Sequence, residues 1–245
     1  LITQTDPNGS VTCYAYDKIG RQISRKDRYI GTPAQALNNC AGSSILQAHA
    51  WFYDTAANGK GLLHQVTGPD NYSKVYQYDS VSRLEGETET IKGISYVTGY
   101  GYDAVTGMQD LTVYPQNFST ITEYDDNGYL LKISNADDLS KIYFDEPLLN
   151  PRLQLTKFKL GNQLTTTNGY NPATGRMEST ASQIGASGAF KRVEHSYQWD
   201  VMGNLERRED LINNASEDFT YDNLNRLETI TGLRNIGGTP TTTIQ

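Results

Sequence analysis

The side chains with the most chemical potential in this 245-residue sequence are aspartates that return at regular intervals. Asp17, Asp54, Asp79, Asp103, Asp125, Asp145, Asp200 and Asp222 each follow an aromatic residue. General acid–base catalysis needs two carboxylates converging on one substrate. A regular repeat instead spreads them along one edge, with neighbours about 10 Å apart or more for a two-strand unit. Calcium is the next chemistry to weigh, through "DDNG" (125–128) or "NADD" (135–138). Neither has the alternately spaced ligands of a calcium loop. His49, His64 and His195 have no metal-ligand spacing. Cys13 and Cys40 are compatible with a disulfide in an exported chain and equally with two thiols. No glycine-rich phosphate loop opens a helix, and no nucleophile elbow is present. The sequence therefore predicts no catalytic, cofactor-binding or metal-binding residue, and a chain that is not an enzyme.

The aspartates belong to a longer phrase, which points to elements rather than chemistry. It reads aromatic–Asp, a few residues, often Gly, then a basic or polar residue and an aliphatic one. Nine copies begin at Tyr16-Asp17, Tyr53-Asp54, Tyr78-Asp79, Tyr102-Asp103, Tyr124-Asp125, Phe144-Asp145, Tyr170-Asn171, Trp199-Asp200 and Tyr221-Asp222. Several close on the expected pair: Gly20-Arg21, Arg83-Leu84, Arg152-Leu153, Gly175-Arg176-Met177, Asn204-Leu205 and Arg226-Leu227. Asp at the start of a turn bonds the backbone amide two residues on. A late Gly, as at Gly20, Gly107, Gly128, Gly175 and Gly203, supplies a positive φ. The phrase is thus a turn with its entry and exit residues specified.

Between copies lie less regular turns such as "GPDN" (68–71) and "YPQN" (114–117). The segments joining the turns, "SKVYQY" and "STITEY" among them, mix β-branched and aromatic residues with polar alternation. The prediction is an all-β protein, one long antiparallel meander of about 18 strands curved as a ribbon, spanning residues 1–245 as one repeat region. The rhythm breaks once, at an insertion over 29–50. There Thr32 can cap a short helix near 32–40 with Pro33 in its first turn.

Composition narrows the partners. A net charge of −7 argues against nucleic acid. No apolar run is long enough to span a bilayer, and no signal peptide is visible. Seventeen tyrosines against six phenylalanines suit half-exposed strands. Pairs such as Tyr14/Tyr16, Tyr76/Tyr78 and Tyr100/Tyr102 fall two apart, on one sheet face. They read as a cross-strand ladder, or as a wall that holds an unfolded polypeptide or a glycan. Trp51 and Trp199 are the residues for stacking on sugar.

These phrases resemble the YD-repeat, or Rhs-repeat, family, on Tyr16-Asp17…Gly20-Arg21, Tyr78-Asp79…Arg83-Leu84 and Tyr221-Asp222…Arg226-Leu227, with the other copies more degenerate. The family includes the shell-forming repeats of Rhs polymorphic toxins, the cocoon subunits of insecticidal toxin complexes, bacterial wall-associated proteins and teneurins. The resemblance implies a β-ribbon that spirals into a hollow shell around a C-terminal toxic polypeptide. It implies containment rather than catalysis, with the rest of the shell and the enclosed cargo as partners. It also implies secretion or export by a toxin delivery system. The alternative role within the family is adhesion or glycan binding at a cell surface. The family's self-cleaving core carries an Asp-Pro motif. Here Asp6-Pro7 lies in a turn at the opposite end, so no residue is assigned to cleavage. The chain opens in mid-pattern, which predicts a part of something longer.

Overall fold

The computed structural model describes residues 3–7, 10–29, 45–185, 190–234 and 241–244. Among them the protein is all-β, with twenty strands and a single 3-10 turn at Pro115–Asn117. It divides into two units, Leu1–Thr120 and Ile121–Gln245. In the first, β1 (Thr3–Thr5), β2 (Ser10–Tyr16), β3 (Gln22–Tyr29), β4 (Ile45–Tyr53), β5 (Leu63–Thr67), β6 (Ser73–Tyr78), β7 (Leu84–Ile91), β8 (Ile94–Tyr102) and β9 (Gln109–Tyr114) pair antiparallel in chain order. β10 (Phe118–Tyr124) spans the division. In the second unit, β11 (Leu130–Asn135), β12 (Ile142–Leu149), β13 (Leu155–Leu160), β14 (Leu164–Tyr170), β15 (Met177–Ile184), β16 (Phe190–Trp199), β17 (Leu205–Asp210), β18 (Ala215–Tyr221), β19 (Leu227–Arg234) and β20 (Thr241–Ile244) do the same.

The count exceeds 18 because short terminal segments, β1 and β20, also pair. The expected insertion over 29–50 is shorter at both ends. Tyr29 closes β3, and Ile45–Ala50 belong to β4, with Arg25 opposite His49 and Ser24 opposite Ala50. The β-branched and aromatic content of "ILQAHAWFY" explains why a strand forms there. The helix expected near 32–40, and Cys40 with it, lie outside the described residues.

No second layer covers these sheets among the described residues. Within each unit the strands other than β10 make their substantial contacts with the strands before and after them. Val11 and Cys13 are the only fully buried apolar residues described, at 1% and 5% exposure. The hydrophobic term that usually dominates folding is therefore spread thinly over half-buried side chains. The backbone ladder and the turns carry a correspondingly larger share. This accounts for the repetition of one turn design.

The ladders also contain a repeated irregularity. The register shifts by one residue immediately before the aromatic residue in seven phrases: at Tyr16, Tyr53, Tyr78, Tyr102, Tyr170, Trp199 and Tyr221. In each case the strand leaving the turn holds the extra residue. Tyr78 faces Leu84 while Gln77 faces Gly86, so Glu85 is skipped. The skipped residues are Ile23, His64, Glu85, Asp110, Glu178, Glu206 and Glu228. A bulge bends the strand and re-aims a side chain. Here the residue opposite the bulge is the phrase's aromatic.

The repeated turn clasp as candidate functional site

Each turn is organised by its acidic or amide residue. In the first, the Asp17 amide donates to the Arg21 carbonyl at 2.9 Å and the Gly20 amide to the Asp17 carbonyl at 3.1 Å. Asp17 Oδ1 accepts the Ile19 and Arg21 amides at 3.0 and 2.9 Å, and Oδ2 accepts Arg21 Nε at 2.7 Å. The same geometry recurs around Asp79 with Arg83 and around Asp222 with Arg226. Asp125 repeats the amide bonds with Asn127 and Tyr129. Asp200 takes the Gly203 and Asn204 amides, and the Asn204 side chain replaces the arginine. Around Asp103 and Asn171 the turn is one residue longer, closing on Met108 and Arg176. The Asp54 turn is longer still and closes on Leu62, with Gly61 donating to Oδ1 at 2.6 Å.

The late residue of the turn needs a positive φ. Gly20 has +86°, while Ser82 and Leu153 occupy the same place at +67° and +60°. Non-glycine residues there carry some backbone strain, which the carboxylate or amide bonds offset.

Phe144-Asp145 departs from the expected phrase. Asp145 stands inside β12, paired with Lys159 on β13. The turn starts at Asn150, whose Oδ1 accepts the Arg152 and Gln154 amides at 2.9 and 3.0 Å. Asn150-Pro151 is the better turn opener, because proline presets φ in the next position. Phe144 instead stacks on Phe158, with ring centroids 5.6 Å apart.

What the sequence reading missed is that the copies hold one another. The Tyr53 hydroxyl donates to the Gln22 carbonyl at 3.1 Å, Tyr78 to Leu63 at 2.5 Å and Tyr102 to Leu84 at 2.8 Å. In the second unit Tyr170 donates to Leu155 at 3.2 Å, Trp199 Nε1 to Met177 at 2.7 Å and Tyr221 to Leu205 at 2.9 Å. The acceptor is always the residue that follows the preceding turn, so Leu84 and Leu205 act through their carbonyls. The arginines complete the link. The Arg21 guanidinium lies 4.3 Å from the centre of the Tyr53 ring, and that of Arg83 lies 4.2 Å from the Tyr102 ring. Arg21 also forks onto Asp54, at 2.5 and 3.2 Å. Arg152 reaches the Pro172 and Ala173 carbonyls, and Arg176 the Asp200 carbonyl.

Electrostatics follow from these partners. The Arg21 side chain holds Asp17 and Asp54 below the usual carboxylate range, and the two carboxylates push Arg21 upward, Asp54 the more strongly. The Asn204 side chain lowers Asp200, and the Thr106 and Arg226 amides lower Asp103 and Asp222. For Asp79 partial burial opposes the shift, but the Arg83 amide and side chain prevail. These lowered carboxylates are acceptors engaged with their own turns, which suits support rather than proton transfer. Of the tryptophans, Trp199 is half-buried with its indole N–H bound to Met177, and the Trp51 ring lies 6.2 Å from that of His49.

The geometry defines a class: an antiparallel β-repeat in which each turn is clasped to the next. No family model and no curated protein matches the chain. Solved structures do. One TcdB2-TccC3 structure, without its hypervariable C-terminal region, aligns at a TM-score of 0.68 and 12% identity, covering 99% of this chain and 15% of that one. Another TcdB2-TccC3 structure gives 0.67 at 13%, and the Tc holotoxin pore of Photorhabdus luminescens gives 0.67 at 13%, with the same coverage. The chain has the fold of these segments and spans 15% of the length of the chains it matches.

Proposed function

We propose that this chain is a section of the wall of a hollow shell that encloses a C-terminal polypeptide, as its resemblance to YD repeats implies. The observation that carries the reading is the clasp. Both units devote their best aromatic, arginine and carboxylate groups to joining one turn to the next. A wall must be continuous and chemically quiet, and this arrangement supplies both. The fold shared with TcdB2-TccC3 supports the same reading, since one such structure is described as lacking a hypervariable C-terminal region. Under this proposal no residue performs chemistry. The positions of the repeated phrases, from Tyr16 to Leu227, are structural. The partners are further wall and an enclosed cargo, and the assembly is exported by a toxin delivery system.

The test is to purify the complete natural gene product under native conditions, then examine it by electron microscopy and by denaturing gel. An enclosed volume, with a separate C-terminal fragment that co-purifies, is the expected result. A solid particle without an enclosed volume would overturn the proposal.

A further inference from the structure

One face of β2 stands apart from the other described surfaces. Val11 and Cys13 are two residues apart, so their side chains share that face. They are 1% and 5% exposed in a fold whose other apolar side chains are half-buried or exposed. Cys13 is part of a disulfide, and no free cysteine is found among the described residues. The sequence holds two cysteines. Within one chain the partner of Cys13 is therefore Cys40.

The strand ladder allows this pairing. Residues 30–44 connect β3 to β4. The connection leaves from Tyr29, which faces Ser10 of β2, and arrives at Ile45, which faces Arg28 of β3. Arg28 in turn faces Val11. Ile45 thus stands two strands and two residues from Cys13, about 12 Å at ordinary sheet spacings. Cys40 precedes Ile45 by five residues, and five residues extend up to about 17 Å. The chain has length to spare for the Cα separation of about 4.4–6.8 Å that a disulfide needs.

We propose that Cys13 and Cys40 are bonded, and that this bond anchors the connection between β3 and β4 to the buried face of β2. Each thiol gives up one hydrogen as the S–S bond forms. The two electrons and two protons pass to an external disulfide such as oxidised glutathione, which leaves as two thiols. In a sheet with little buried apolar surface, a covalent tie between distant segments supplies stability that packing does not. Its formation requires that the chain fold where disulfides form. Burial of Cys13 closes its sulfur to small thiols, so the bond outlasts mild reductants while the fold holds. The inference stands on β2 and its neighbours and does not depend on the shell reading.

The test equilibrates the full chain in glutathione buffers from oxidising to reducing, once folded and once in concentrated urea. Samples are quenched in acid, alkylated with iodoacetamide and mapped by mass spectrometry. A linked pair of peptides carrying Cys13 and Cys40 is expected. The folded chain should need a buffer at least tenfold more reducing than the unfolded chain to reach half reduction. Equal midpoints would overturn the proposal, because the fold would then not hold the two sulfurs together. So would a non-reducing gel that shows the bond joining two chains. Cys40→Ala removes the bond and leaves the buried position unchanged. It should lower the Tm by at least about 4 °C relative to the oxidised chain. An unchanged Tm would overturn the anchoring role, and the midpoint comparison does not depend on the variant folding.

Discussion

Removing one hydroxyl from the clasp tests the account of how the ribbon is held together. Tyr78 is the clearest case. Its hydroxyl donates to the Leu63 carbonyl at 2.5 Å, and its ring covers Gly59 closely enough that a Cβ there would sit 2.9 Å from the ring. Tyr78→Phe keeps the ring and deletes the donor. A typical intramolecular hydrogen bond contributes about 1 kcal/mol, and a carbonyl left unsatisfied raises the cost to about 1–3 kcal/mol. Leu63 is half-buried, so the lower end applies, about 1–1.5 kcal/mol. For a chain of this size that is a fall in Tm of about 2–6 °C. Tyr96→Phe is the control, since Tyr96 is 39% exposed and outside every phrase; it should change stability by no more than about 0.5 kcal/mol. The assay is thermal and urea unfolding followed by circular dichroism, with amide exchange at 62–65 reporting the local effect. Equal effects of the two substitutions would refute the clasp as a source of stability.

Three further outcomes follow from the same geometry. Gly59→Ala should cost about 1–3 kcal/mol by overpacking, because the new Cβ would meet Ala56 Cβ at 2.7 Å as well as the Tyr78 ring; unfolding measurements that show no loss would contradict the close approach. At Asp222, Asn should be tolerated and Ala should not, since Asn150 and Asn171 open equivalent turns; comparable Tm values for the two variants would show that the side-chain oxygen is unimportant. The folded-state pKa values of Asp17, Asp54, Asp103, Asp200 and Asp222 are lowered, so their stabilisation is fully present above the unfolded value of about 3.9 and is lost as pH falls through the folded values. Circular dichroism should hold its β signal at pH 5 and lose it only below about pH 4; loss beginning above pH 5 would point to other groups.

The parts legible in the sequence are those whose partners are near in the chain. Asp17 and Arg21 are four residues apart, and the carboxylate, the amides it accepts and the positive-φ glycine fall within one turn. Such a unit is specified by short-range stereochemistry, so the phrase identified the turns and their alternation identified an antiparallel meander. Phe144-Asp145 misled because an aromatic–Asp pair is not sufficient. The competing Asn150-Pro151, five residues further on, makes the better turn. The apolar tips Ile19, Val81, Val105, Met202 and Leu224, each two residues beyond a turn's aspartate and each 66% exposed or more, are a further pattern written within single turns.

By itself, then, the sequence determined the repeated turn and the all-β class. Tertiary structure decided everything that depends on register. The bulge before each aromatic is a difference of one residue between two strands, and no composition signal specifies it beyond the acidic tendency of the skipped position. Beside it, Tyr53 donates to Gln22, thirty-one residues earlier, and Tyr102 to Leu84, eighteen earlier. The register of β12 on β13 likewise shifts between Asp145 and Leu149, where Glu146 has a positive φ and Pro147 has no N–H to donate. Turns are encoded within a few residues, whereas contacts between turns depend on strand pairing that shifts every side chain when it slips by one.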